Sequence, residues 1–250
     1  MSVSTTAVPK RIEEVSPAFK ARIVAVLCLT DNVAAAFAEF FVRGKLVVYG
    51  DAAATATNIL AHQTMYRFGA TAWLVALTAD AAAAVIFYDL LRPVSRSLSL
   101  LVAFFRLMFV AIMAANSLNF FAPLVLLRTS PYLTAFKTDQ LQALALVSDN
   151  MFNTGYDISM VFWGFHIVLM GFLILKSTFL PRILGALLAI GGVCYLTNSF
   201  ADFLAPSFGN TLGLYIVIPG AVAELLLTLW LLVMGVNVPQ WKEQVSTATV

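Results

Sequence analysis

The 250 residues carry 15 basic and 13 acidic side chains and are 61% hydrophobic. Soluble domains hold about 25% charged residues, against 11% here, so too little polar surface exists to cover a globule in water. A formal charge of +2 without a dense basic block gives no footing for nucleic acid, and the expected partner is a lipid bilayer.

A spanning helix needs about 20 mostly apolar residues. The chain divides into apolar runs at 22–42, 67–91, 98–127, 157–176, 182–203 and 212–235. This predicts an all-α, polytopic integral membrane bundle of about six transmembrane helices, with short interfacial helices in its outer loops. Residues 1–21 read as a cytoplasmic tail holding Lys10, Arg11, Glu13, Glu14 and Lys20. Residues 22–235 read as a single transmembrane domain, and 236–250 as a second cytoplasmic tail. The first run is long, includes Asp31 and Glu39, and lacks a small-residue cleavage pattern, which argues against a removed signal peptide.

Between the first two spans, Gly50-Asp51-Ala52 reads as a turn and an Asp N-cap, opening an alanine-rich helix to about His62. Thr138-Asp139-Gln140-Leu141 opens a similar helix, which lies at the interface or runs into the following span. With the N-terminus inside, nine basic residues flank the inner ends of the spans and five the outer ends. The positive-inside bias therefore favours both termini in the cytoplasm, and the expected location is the cell's inner (plasma) membrane.

The placement of polar residues carries most of the functional information. Asp31, Asp80, Arg106, His166 and Glu224 fall near mid-membrane in five different spans. Each Asp or Arg at a helix centre costs roughly 2.5–3.5 kcal/mol on insertion scales, so these side chains are expected to turn inward. The simplest arrangement pairs Arg106 with one or more of the three carboxylates. At least one carboxyl then keeps its proton, because one arginine cannot balance three acids. Asn116 and Asn119, with Asn198 and Asp202, extend polarity outward, and Tyr156 and Asp157 mark the outer entrance of the fourth span. Glu39 and Arg43, one turn apart, read as an interfacial salt bridge. Pro219 removes a helix hydrogen bond one turn before Glu224, suggesting a broken or kinked sixth helix beside an ionisable group. Gly185, Gly191 and Gly192, and Ala81 to Ala84, read as close helix packing.

Several chemistries find no support. Cys28 and Cys194 sit in apolar runs and read as free buried thiols, with no Cys-x-x-Cys pair. Two histidines, His62 and His166, give neither a zinc site nor a bis-histidine haem, and no metal or other cofactor is expected. No nucleophile elbow or phosphate loop occurs. Phe104, Phe105, Phe109, Phe120 and Phe121 read as lipid-facing or core aromatics.

Arg43-Gly44-Lys45-Leu46-Val47-Val48, Gly50-Asp51-Ala52-Ala53-Ala54-Thr55-Ala56, Leu90-Leu91-Arg92-Pro93-Val94, Phe105-Arg106, Gly155-Tyr156-Asp157 and Leu180-Pro181-Arg182-Ile183-Leu184-Gly185 together give the chain a family likeness. From about Lys20 to Gly235 it resembles a group of bacterial membrane proteins known as domain of unknown function 4386. The resemblance implies a helical membrane protein and supplies no reaction, ligand or catalytic residue.

Three functions remain open from the sequence. One is binding or transport of a small or amphipathic molecule through a polar intramembrane cavity lined by carboxylates and one arginine. The second is acid–base catalysis, of isomerase or cyclase type, on a lipid-like substrate. The third is a structural or regulatory subunit whose polar groups only lock the bundle.

Overall fold

The computed structural model describes residues 16–248, so Lys10, Arg11, Glu13 and Glu14 of the expected tail lie outside the described residues. Among those residues the chain is helical, with no strand. Helix α1 (Pro17–Ala36) starts on a proline at its first position, where the missing N–H is harmless. It passes into a π-helical stretch, Phe37–Arg43, and a last turn, α2 (Gly44–Leu46). Asp51 caps α3 (Ala52–Ala61) by accepting from the Ala54 amide at 2.8 Å, as its sequence predicted. The chain bends at His62 into α4 (Gln63–Leu91). Helix α5 (Arg96–Leu126) is capped by Ser95, and a short 3-10 turn at Pro131–Leu133 leads to α6 (Thr138–Lys176). Helices α7 (Arg182–Leu204), α8 (Pro206–Val233) and α9 (Val238–Ala248) complete the described chain.

Six of these segments are long and apolar enough to cross a membrane, at Pro17–Leu46, Gln63–Leu91, Arg96–Leu126, Thr138–Lys176, Arg182–Leu204 and Tyr215–Val233. The protein is an integral membrane protein. The spanning helices form a closed ring in the order α1, α4, α5, α6, α7, α8 and back to α1, and among the described residues the α1–α8 seam is the most sparsely packed. The surface turned to lipid is apolar, with Val33, Phe68, Leu118 and Val233 each more than half exposed.

Packing inside the ring relies on small residues. A Cβ on Gly171 would lie 2.6 Å from the Ala189 amide nitrogen, and one on Gly192 would lie 2.6 Å from that of Val168. Glycine at these positions lets α6 and α7 meet backbone to backbone, the arrangement favoured where lipid offers no hydrophobic drive to association. Gly191 meets Gly220 in the same manner, joining α7 to α8.

At four places the structure adds detail to the expected boundaries. Helix α1 begins at Pro17, inside the expected tail. The fourth span is the end of a single helix of 39 residues that starts at Thr138. At about 1.5 Å per residue it outruns a hydrocarbon core of about 30 Å, so its first turns stand outside the bilayer. Helix α8 runs through Pro219 without a break. The segment 236–250 is helical over Val238–Ala248 and docked to the bundle: the Trp241 indole donates to the Leu90 carbonyl at 2.9 Å. Gln244 accepts from the Thr178 amide at 3.1 Å, joining α9 to the α6–α7 turn.

Candidate functional site

Two arginines and a set of acids organise the interior. Arg106 on α5 is 2% exposed and ion-paired with Asp80 on α4, which is fully buried. The other terminal nitrogen of Arg106 lies 3.2 Å from His166 Nε2 on α6. His166 Nδ1 is 2.9 Å from the Val102 carbonyl, which can only accept. The Nδ1 proton is therefore donated to Val102, leaving Nε2 as the acceptor for Arg106, and the imidazole is neutral. The guanidinium also stacks 5.0 Å from the Trp163 ring and 5.3 Å from that of Phe87, and it approaches Cys28 Sγ at 3.7 Å. Thus α1, α4, α5 and α6 are joined at one point. The second carboxylate oxygen of Asp80 and the Nε of Arg106 have no hydrogen-bond partner among the described residues.

Asp31 and Glu224 do not bond to Arg106 directly. They line, with Arg106, Cys28, Trp163 and Thr228, a void of about 20 Å³, roughly the room one water needs. The Trp163 indole donates to Glu224 at 3.2 Å, and the Tyr195 hydroxyl is directed at the same carboxylate. Asp31 receives no hydrogen bond from any described residue. Asp80, Arg106 and His166 thus form a bonded set. Asp31 and Glu224 are its neighbours across a small gap.

Beyond this gap the interior widens into a cavity of about 550 Å³. It shares Asp31, Asn32, Trp163 and Glu224 with the smaller void, so the two are neighbours across these side chains. All six spanning helices contribute to its wall, through Asp31 and Glu39 on α1 and its π-helical extension, Trp73 on α4, Phe109 on α5, Tyr156 on α6, Tyr195 on α7 and Glu224 on α8. Asp157 and Asn198 line it as well. Tyr156 and Asp157, expected at an entrance, sit on the cavity wall partway along α6. Asn198 donates to Asp202 at 2.9 Å, with its own side-chain oxygen buried and unpaired among the described residues. Asp202 does not line the cavity.

Asn116 lies elsewhere. Its amide donates to the Phe152 carbonyl at 2.8 Å and presses on Gly155, where any side chain would collide with it. That joins α5 to α6 and is a packing contact.

A second arginine is also buried, which the sequence reading did not anticipate. Arg43 is 6% exposed and binds Glu39 at 2.6 Å, Asp149 at 3.0 Å and Asn153 at 2.6 Å, with its guanidinium 4.5 Å from the Phe152 ring. Trp73 donates to the other oxygen of Glu39 at 3.0 Å. The expected Glu39–Arg43 pair exists, but as one edge of a cluster reaching α6. Asp149 and Asn153 were missed because the fourth span was begun at 157. The available signal was their spacing with Phe152 on one face of a helix that nothing interrupts from 138 onward.

A family model described as "Domain of unknown function (DUF4386)" matches residues 23–235. An "Uncharacterized protein" of Archaeoglobus fulgidus is 29% identical over 156 residues, covering 62% of this chain and 76% of its own length. No solved structure matches.

Proposed function

Since the chain belongs to the domain of unknown function 4386 family, whose description assigns no reaction, we propose from its own interior that it binds or transports a small amphipathic molecule. The observation that carries this is the cavity of about 550 Å³ in the middle of the ring, walled by carboxylates and aromatic rings. Ligand sites typically occupy about 300–1,000 Å³ and combine apolar walls with a few convergent polar groups. A bundle locked only by polar contacts has no need of such a space. The polar groups nearest Arg106 support a structural role, because the bonds that Arg106, Asp80 and His166 make run to one another, to Cys28 and to the Val102 carbonyl. This reading takes Asp31, Glu224, Tyr156, Asp157 and Asn198 as the site, with Arg106 on the small void beside it.

The seam between α1 and α8 offers the easiest route in, since it is the most sparsely packed and Asn32 and Phe40 on the cavity wall are exposed there. For orientation, the end of the bundle bearing α9 carries Lys20, Arg22, Arg92, Arg96, Lys176, Arg182 and Lys242. The opposite end carries Arg43, Lys45, Arg67, Arg128 and Lys137, and Arg43 is internally paired. The bias supports a cytoplasmic α9 end, both termini inside, in the plasma membrane of a bacterial-type cell.

The test is cysteine labelling of the full chain after Cys28 and Cys194 are replaced. A cysteine at Val217 or Ala35 on the cavity wall is expected to react with a small maleimide in intact membranes. If both stay unreactive while a cysteine at Tyr49, on an exposed loop, is labelled, the cavity reading fails.

A further inference from the structure

The charges in the cavity wall are unbalanced, and the imbalance has one sign. Asp31, Glu39, Asp157 and Glu224 line it, and among the described residues no Lys, Arg or His does. The stretch 206–214 also holds no basic residue in its sequence. Glu39 is matched by Arg43, and Arg106 is matched by Asp80. Asp31, Asp157 and Glu224 form no ion pair among the described residues, and Arg106, which shares the small void with Asp31 and Glu224, is already held by Asp80. A carboxylate taken out of water is tolerated only when a proton or a positive charge neutralises it.

The wall around these acids is aromatic. Phe40, Trp73, Phe109, Tyr156, Trp163 and Tyr195 all line the cavity. Aromatic faces attract cations through the ring quadrupole, and rings assembled around a space are the usual receptor for substituted ammonium groups. The acids are spread over α1, α6 and α8, and no three His, Cys, Asp or Glu side chains among the described residues come close enough to hold a metal ion. Dispersed acids and flat ring faces suit a large cation of low charge density. They do not suit a compact metal ion, and the wall offers an anion no counter-charge.

Resting on the cavity reading above, we infer that the occupant is an amphipathic organic cation, its positive centre beside Asp31 and Glu224 and its apolar body against the aromatic wall. Asn198, whose buried side-chain oxygen has no partner among the described residues, supplies an acceptor for an N–H of such a molecule.

Two ions of matching shape and opposite charge test this on the purified full chain in lipid nanodiscs. Tetraphenylphosphonium is expected to bind saturably, and tetraphenylborate to show only the partitioning seen in empty nanodiscs. The double variant Asp31→Asn with Glu224→Gln should weaken phosphonium binding at least tenfold. The comparison of the two ions on the unmodified protein holds even if that variant folds poorly, and Asp157→Asn alone should weaken binding severalfold. Equal saturable binding of the borate, absence of saturable phosphonium binding, or phosphonium binding unchanged in the folded double variant each overturns the inference. Where the Val217 cysteine is still labelled, the cavity reading survives that failure; where it is not, both fall.

Discussion

Around Arg106 the bundle matches its charges, and around Asp31 and Glu224 it leaves them open. Both regions are built from acids and aromatic rings on the same helices, and they share Trp163. In the first, Asp80 and His166 hold the guanidinium and the space left over measures about 20 Å³. In the second, about 550 Å³ is bordered by four acids, of which only Glu39 is ion-paired among the described residues. The same side-chain types therefore serve packing in one place and recognition in the other. What separates the two is pairing and free volume, neither of which is a property of a residue alone.

The comparison breaks most decisively at Asp80. Asp80→Asn leaves Arg106 buried without its counter-ion, which is expected to cost about 3–5 kcal/mol in unfolding measured in detergent. Replacing the pair with Asp80→Leu and Arg106→Met should recover most of that loss. A loss under about 1 kcal/mol from Asp80→Asn would mean that the pair is not the lock described. Gly171→Ala comes next: its added methyl meets the Ala189 backbone, and about 1–3 kcal/mol of destabilisation is expected from the forced separation of α6 and α7. Trp241→Phe removes one hydrogen bond to Leu90 and should cost about 1 kcal/mol, measured the same way. The smallest change in stability belongs to Asp31→Asn, which is expected to alter unfolding by no more than about 0.6 kcal/mol, the typical worth of one intramembrane polar contact. Only here should binding of an organic cation fall sharply without a matching loss of stability. If Asp31→Asn unfolds the protein as severely as Asp80→Asn does, the two regions are not distinct.

Much of the architecture was legible in composition and in the length of the apolar runs. Convergence of Asp80, Arg106 and His166 also followed from their similar depth, because hydrocarbon tolerates no isolated charge. Less could be read near the ends of the spans. Arg43 looked like half of an interfacial pair, since nothing in its local sequence reveals that Asp149, 106 residues later, packs against it. The π-helical stretch at Phe37–Arg43, which sets how Glu39 and Arg43 face the bundle, has no marker in its residues. At Pro219, read as a break or a kink, α8 stays helical on both sides, with Gly220 packed against the Tyr195 ring. Whether two acids bond to an arginine or stand across a gap from it depends on about one turn of helix, finer than hydropathy resolves.

Helix α9 bolts one end of the bundle shut. It ties the close of α4 through Trp241 and the α6–α7 turn through Gln244, while Asn237 just before it binds Phe179. The Arg43 cluster holds the extension of α1 to α4 and α6 at the other end, so cutting the chain after Val236 should free one end of the bundle and leave the other tied.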